Sequence, residues 1–420
     1  MRVCVLSDGY PPWEHGGAQK IAAQLADGYA RRGHEVSVVT TVTDRKERGR
    51  IRRGGIDVHR IYAPRYPALL PYLTVYNPFT ARACERALAL IAPDVVHAHN
   101  VHWLSNRSLR AAAERGVPVV KTFHDAGTVS YGELTCFVES DPPTGKERIP
   151  ASAYRVTPRR QLRRQGLRYF PLRNRLNRRH LDRHVDVGVA VSDELRRALR
   201  ANGVPCHRTV RNGVPAPEPD PSREADAAAF REEHDLGDAP IVLFAGRTGY
   251  NKGGRHLADA FGRLARRADR SVRLVVAGDD EYVPEMRRAA GRAGGDIVST
   301  GWLPRARLDA AFEAATVVAS PSVHLDPFPT VNLEAFARGT PVVTTWFGGA
   351  KELVDHGENG FVVNPLDVES LTEALSTLVA RPALAERFGE RGRRKVTARY
   401  TVDRQVDRYL DLLESVVRGT

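Results

Sequence analysis

The chain has 420 residues, 42% of them apolar and 27% charged, with 35 glycines and 27 prolines spread along its length. That is the composition of an ordinary globular protein, with room for two or three domains at roughly 100–200 residues each, and it excludes collagen-like and low-complexity classes. The net charge of +13 is concentrated: between Arg155 and Arg183 stand eleven arginines and one acid, Asp182, while the remainder is close to balance.

No run reaches the ~18–20 apolar residues of a membrane span, and the start, MRVCVLSDGYPP, lacks the apolar core of a signal peptide. Cys4, Cys84, Cys136 and Cys206 are widely spaced and form no CxxC pair. Small core residues in a reduced, cytoplasmic compartment are expected, without a disulfide framework or zinc site.

Strand and helix signals alternate almost throughout, which predicts parallel sheets covered by helices. RVCVLS (2–7) is a short β-rich run. Pro11 and Pro12 follow, then Gly16 and Gly17 open a helix over 18–33, with Ala22, Leu25, Ala26 and Tyr29 at helical spacing. Paired glycines at a helix start let backbone amides approach an anion, although the same pair also serves a plain turn. Further strands are expected at 35–41, 57–62, 94–99, 118–124 and 186–191. His97, His99 and His124 fall at or near strand ends, and His124 in KTFHD is the best placed to meet a ligand.

Segment 125–185 interrupts the rhythm and is too long for a plain loop. Its arginines alternate with Leu162, Leu167, Phe170, Leu172, Leu176 and Leu181, predicting one or two amphipathic helices broken at Pro171. Upstream, IYAPRYPALLPYLTVYNPF (61–79) is apolar, aromatic and proline-rich. NGVPAPEPDPSREAD (212–226) reads as a linker.

A second strand series follows at 241–246, 272–278, 296–300, 316–320, 341–345 and 360–363. The expected architecture is two doubly wound Rossmann-like domains facing across a cleft, residues 1–205 and 206–400, with a last helix over 402–420 packing back on the first. In such sheets ligands bind beyond the carboxyl ends of strands. There, LFAGRTGYNKGG (243–254) places Gly246, Arg247 and Lys252 before a helix start. An arginine fork and a lysine point charge suit a diphosphate. The order of glycine and lysine is not that of a Walker A loop. Asp279 and Asp280 read as a solvated loop, and no metal site is expected.

HLDPFPTVNLEA (324–335) carries two acids, Asp326 and Glu334. Pro327 and Pro329 prevent one continuous helix, so the acids do not share a helical face. Thr330 is expected to cap a helix running to Arg338, with Val331 at its first position and Glu334 in its first turn. Amides at that start would form a second anion site facing Arg247 and Lys252. A carboxylate there suits paired sugar or ribose hydroxyls. A glycosidase-type acid pair is the competing reading, and it leaves the phosphate-binding features unexplained.

In order and spacing these features resemble the retaining glycosyltransferases of family 4, the two-Rossmann-domain GT-B enzymes that use nucleotide-sugar donors. The resemblance covers nearly the whole chain: PP…GGAQ, DVVHAHN, TFHD, VRNGV, AGR…KGG, VVAG, the Asp326–Glu334 stretch with AFARGTPVV, and GGAKELVDHGENGFVV. It implies that Glu334 binds the ribose hydroxyls and that Arg247 and Lys252 neutralise the departing diphosphate of a UDP- or GDP-sugar. It also implies that Gly17 lies near the donor phosphates and that His124 meets the transferred sugar. Val331 and Asn332 fall where backbone amides contact the diphosphate or sugar. The family's first glutamate is Asp326 here, one methylene shorter, and its Gly-Phe-Gly is replaced by Pro327-Phe328-Pro329. The family chemistry needs no cofactor and no divalent metal.

The preferred acceptor is a soluble small molecule, anionic or aromatic, because the arginine-rich helix is interrupted at Pro171 and has no Trp anchor. Three readings stand beside it: a lipid-linked acceptor reached by peripheral contact of Arg155–Arg183 with the inner membrane face, a nucleotide-sugar epimerase of similar fold, and a nucleic-acid-binding protein. No nucleic-acid motif accompanies the arginines, so no nucleic-acid partner is expected.

Overall fold

A computed structural model describes residues 1–12, 16–129, 154–166, 169–216 and 221–419. The expectations placed on Cys136 and Leu167 lie outside them. Contacts divide the described residues into two units, Met1 to Gly213 with Val402 to Gly419, and Val214 to Thr401.

The first unit holds an eight-stranded sheet of β1 (Arg2–Leu6), β2 (Glu35–Val42), β3 (Gly49–Arg53), β4 (Ile56–Tyr62), β5 (Val95–Ala98), β6 (Val119–Phe123), β7 (Val187–Ala190) and β8 (Arg208–Thr209). Its order is β3-β4-β2-β1-β5-β6-β7-β8. Every pairing is parallel except β3 with β4, a hairpin closed by Gly54 and Gly55 at positive φ. The sequence pattern missed β3 because GRIRR alternates arginine with its neighbours rather than presenting an apolar run. Charge suits an edge strand, where it deters pairing with other chains.

Val402–Arg418 forms the last helix and packs on helix Gly17–Arg31 in this unit. Gly28 makes the approach possible: a Cβ there would lie 2.3 Å from Val406 Cγ2. Val406, Tyr409 and Leu413 enter a core with Val3, Val5, Leu25, Tyr29 and Val38. The Tyr409 hydroxyl is satisfied by Thr122 Oγ1 at 2.9 Å, as a buried hydroxyl requires. Arg32 adds surface ion pairs to Asp403 and Asp407, each worth at most about 1 kcal/mol.

The second unit holds a six-stranded, wholly parallel sheet of β9 (Ile241–Ala245), β10 (Arg273–Ala277), β11 (Ile297–Ser299), β12 (Val317–Ser320), β13 (Val342–Thr345) and β14 (Gly360–Val363), in the order β11-β10-β9-β12-β13-β14. Val242, Phe244, Leu257, Phe261, Leu274 and Leu375 form its core with neighbouring apolar residues. The expected linker is shorter than its composition suggests, because residues from Arg223 onward form a helix to Glu233. Ala225, Ala227 to Ala229 and Phe230 outweigh the acids there, and Phe230 is fully buried.

Candidate functional site

Each sheet has one point where the chain leaves adjacent strands in opposite directions, and a crevice opens there beyond the carboxyl ends. In the second sheet that point lies between β9 and β12, and in the first between β1 and β5.

The loop after β9 runs from Gly246 to Gly253. Gly253 has φ 77°, and a Cβ on it would fall 2.0 Å from the Pro321 carbonyl oxygen. Glycine therefore lets this loop lie against the segment leaving β12. The Asn251 carbonyl joins the two, accepting from the Val323 amide at 2.8 Å and from His324 Nδ1 at 2.9 Å. A carbonyl can only accept, so His324 carries its proton on Nδ1.

These contacts set Lys252 Nζ 2.8 Å from Asp326 Oδ2. The same oxygen accepts from Ser322 Oγ at 2.9 Å, and His324 Nε2 lies 4.0 Å away. The Asp326 backbone is fixed as well: Gly349 donates its amide to the Asp326 carbonyl at 2.7 Å, and Gly348 bridges to it at φ 82°, where a Cβ would clash. Burial alone would raise the Asp326 carboxyl. Lys252, His324 and the Ser322 hydroxyl outweigh burial and hold it below the usual carboxylate value.

Arg247 is exposed at the mouth of this loop and forms no ion pair among the described residues. Asp279, expected in a solvated loop, braces it by accepting from both the amide and the hydroxyl of Thr248. Among the described residues no three or more His, Cys, Asp or Glu side chains are grouped to hold a metal ion.

Helix Thr330–Ala337 begins one residue earlier than its sequence suggests: Pro329 is the cap, and Thr330 is helical and makes no capping bond. Val331 is half-buried in the first turn. The Asn332 amide donates to the Pro329 carbonyl at 3.2 Å, so it is already engaged within the turn. The Asn332 side chain is fully buried between Ser320 Oγ (2.6 Å) and Thr344 Oγ1 (3.0 Å), tying the helix to β12 and β13. Glu334 is buried, and the cation set against it is Arg305, at 3.0 Å, rather than Arg247 or Lys252. Nothing in the sequence singles out Arg305, which heads helix Arg305–Ala314.

In the first unit Gly16 caps helix Gly17–Arg31 in an extended conformation, and both glycines are exposed. Asp8, just past β1, accepts backbone amides from His102, Trp103 and Leu104 at 2.5, 3.0 and 3.0 Å. It thereby shapes the loop after β5. His99 Nδ1 and His124 Nε2 are 2.8 Å apart and share one proton. Lys121 Nζ, almost fully buried, donates to the His99 carbonyl at 2.7 Å. Behind them Tyr29, His97, Thr122 and Tyr409 form one hydrogen-bonded chain. Burial, with Lys121 adding to it, pushes His124 down to about 4, against an opposing pull from Asp125. His97 falls to about 3 for the same reason, and burial takes Lys121 down to about 8. At neutral pH this crevice therefore presents neutral imidazoles beside a lysine.

Two doubly wound sheets in one chain, each with polar residues gathered at its switch point, are the architecture of the GT-B sugar-transferring enzymes. The family model described as "Glycosyl transferase 4-like domain" matches residues 16–214, and that of "Glycosyl transferases group 1" matches 226–395. A D-inositol 3-phosphate glycosyltransferase of Saccharomonospora viridis is 30% identical, with 100% of this chain and 96% of the relative covered. Sucrose-phosphate synthase from Thermosynechococcus elongatus superposes with a TM-score of 0.74 at 22% identity, over 100% of both chains. Anabaena HepE, solved in complex with UDP and glucose, superposes with a TM-score of 0.71 at 19% identity, covering 99% of this chain and 100% of that one. The chain belongs to glycosyltransferase family 4, and it is a transferase.

Proposed function

We propose that this enzyme moves a sugar, with retention at the anomeric carbon, from a nucleotide diphosphate sugar (UDP- or GDP-linked) to a hydroxyl of a small-molecule acceptor. The observation that carries the reading is the Lys252–Asp326 pair at the β9/β12 switch point, with Arg247 exposed in the same loop as Lys252. Asp326 Oδ2 holds Lys252 and Ser322, which leaves Oδ1 to accept from a hydroxyl of the donor sugar. Lys252 and Arg247 then meet the diphosphate. As the bond from the anomeric carbon to the phosphate oxygen breaks, the electron pair goes to that oxygen and the two cations stabilise the charge. Each such preorganised donor is worth about 10²–10³ in rate. In this reading the charge is balanced without a divalent metal. Glu334 takes the ribose hydroxyls, and Arg305, 3.0 Å away, orients its carboxylate.

The acceptor falls to the first unit, where Gly17 and the half-buried, neutral His124, held from behind by His99, offer hydrogen bonds to a polyol. The acceptor attacks from the face that the phosphate leaves, and its proton passes to the departing phosphate oxygen. The complex of HepE with UDP and glucose supports the donor class.

A thermal-shift screen of UDP-, GDP-, ADP- and dTDP-sugars tests it. A ligand at 100 times its Kd stabilises the native state by about 2.7 kcal/mol, so one nucleotide should raise Tm clearly above the others. Product NMR should then show the donor's anomeric configuration. No shift with any nucleotide sugar, or an inverted product, overturns the proposal.

A further inference from the structure

Among the described residues, ten large apolar side chains are exposed, and seven of them fall in two segments of the first unit. Tyr66, Leu69, Tyr72, Tyr76 and Phe79 come from one, and Leu162 and Leu172 from the other, each 46–55% exposed. The segments are joined in space. Tyr72 stacks on Phe170 with ring centroids 4.7 Å apart. Asn106 ties them through its amide to the Thr74 carbonyl (2.9 Å) and its side chain to Asn177 (2.7 Å). The Val129 carbonyl accepts from Gln161 (2.8 Å) and Asn174 (2.7 Å), so helices Pro158–Gln165 and Arg173–His184 hang from one point.

These same helices carry the arginine run. Arg155, Arg159, Arg163, Arg175, Arg179 and Arg183 are exposed, and none forms an ion pair among the described residues. Arg173 differs: it is buried and donates to the Gly127 carbonyl at 2.7 Å. Structural duty thus accounts for Arg173 and leaves the exposed arginines without one. A monomer rarely leaves so many large apolar side chains together in water, and like charges gathered beside them attract an anionic partner.

We infer that this aromatic and arginine-rich face docks the enzyme on an anionic bilayer. Tyrosines sit at the headgroup level, leucines reach the acyl boundary, and arginines meet lipid phosphates. Two other occupants fit less well. A second copy of this chain, itself at +13, meets like charge with like. A single-stranded nucleic acid would use the aromatic rings and arginines but gains little from Leu69, Leu162 and Leu172. The inference stands on the first unit's surface alone and does not depend on the donor or the reaction.

Co-sedimentation of the full chain with phosphatidylcholine vesicles, with and without phosphatidylglycerol, tests it in the absence of any sugar nucleotide. Binding is expected only to the anionic vesicles, and it should be lost at about 0.5 M salt, where screening is short-ranged. The variant R159Q/R163Q/R175Q/R179Q should lower partitioning by several hundredfold, at roughly fivefold per arginine. Leu69→Ser with Tyr76→Ser should lower it about tenfold while keeping the salt dependence. Wild-type circular dichroism and Tm in both variants are the check on folding. Equal binding to neutral vesicles, no binding to anionic ones, wild-type partitioning by both variants, or capture of single-stranded RNA with vesicles left unbound overturns the inference.

Discussion

The two switch points solve opposite problems. The β9/β12 crevice is organised around charge: a lysine against a carboxylate, an exposed arginine in the lysine's loop, and a second acid held by Arg305. The β1/β5 crevice is organised around neutral imidazoles made so by burial, with one lysine set on a backbone carbonyl. Charge recognises charge, so the first arrangement suits an anionic donor. Neutral donors and acceptors at fixed positions suit hydroxyl groups. The difference predicts that acid, charge removal and side-chain length act on the two units unequally.

Acid should separate them most. His97, His99 and His124 have depressed values in the folded chain, so they stay neutral while the unfolded chain takes up their protons below about 6.5. The unfolded state then binds more protons, and stability falls as pH drops from 6.5 toward the folded values, about 4 for His124 and about 3 for His97. Three such protons correspond to a slope of up to about 4 kcal/mol per pH unit. Asp326 in the second unit behaves differently. Its lowered value means that the stability it contributes persists above 3.8 and is lost only as pH falls further. Hydrogen exchange between pH 6.5 and 4 should therefore show β5 and β6 losing protection before β9 and β12. Equal loss in both sheets would break the comparison.

Charge removal should act on the second unit. Lys252→Ala is expected to lower kcat about 10²–10³-fold while the fold persists. It also leaves a buried carboxylate without its main partner, so Tm should fall modestly and the Asp326 carboxyl should titrate higher. Arg247→Ala removes an exposed cation with no ion pair among the described residues, so it should lower turnover with Tm unchanged. Kinetics and melting curves of the two variants give the contrast, and a Lys252→Ala enzyme of wild-type rate would sink the assignment of that crevice.

Much of this is legible in the sequence. Alternating apolar runs and helical periodicity marked all the strands except β3 and β8, because burial on both faces writes itself into sequence. Lys252 and Asp326 were visible because both follow strands at the end where ligands bind. What pattern could not supply was proximity. Nothing in the spacing pairs Glu334 with Arg305, which comes from a different helix, and only tertiary packing brings the two together. Asp8 was within reach, as an acid just past a strand, but the amides it accepts lie more than ninety residues away. The close approach of Gly348 to Asp326 is likewise a property of the fold.

Burial of charge in the first unit gives a smaller effect. Lys121, depressed to about 8, loses its proton in the folded chain while the unfolded chain keeps its own to 10.5. Between those values the unfolded state binds more protons, so this group makes stability rise with pH, by about 3 kcal/mol in all. Chemical denaturation of Lys121→Met should lack that rise relative to wild type. A parallel pH profile in the two proteins would mean that Lys121 is solvated and that the neutral character of its crevice has another origin.

The smallest expected effect concerns one methylene. Asp326 has its backbone fixed by Gly348 and Gly349, and its Oδ2 meets Lys252 at 2.8 Å and Ser322 at 2.9 Å. In Asp326→Glu the carboxylate moves outward along a fixed direction, so it cannot keep both contacts and the same reach toward the sugar. The second unit should remain folded, because Lys252 still finds a carboxylate. A methylene at a binding surface shifts discrimination by about 1–3 kcal/mol, so the ratio of kcat/KM between two sugars on the same nucleotide should change about tenfold. That ratio isolates sugar contact from diphosphate contact, since both donors share the nucleotide. If it holds constant while kcat falls for both donors alike, Asp326 serves Lys252 alone, and the sugar is read by another residue.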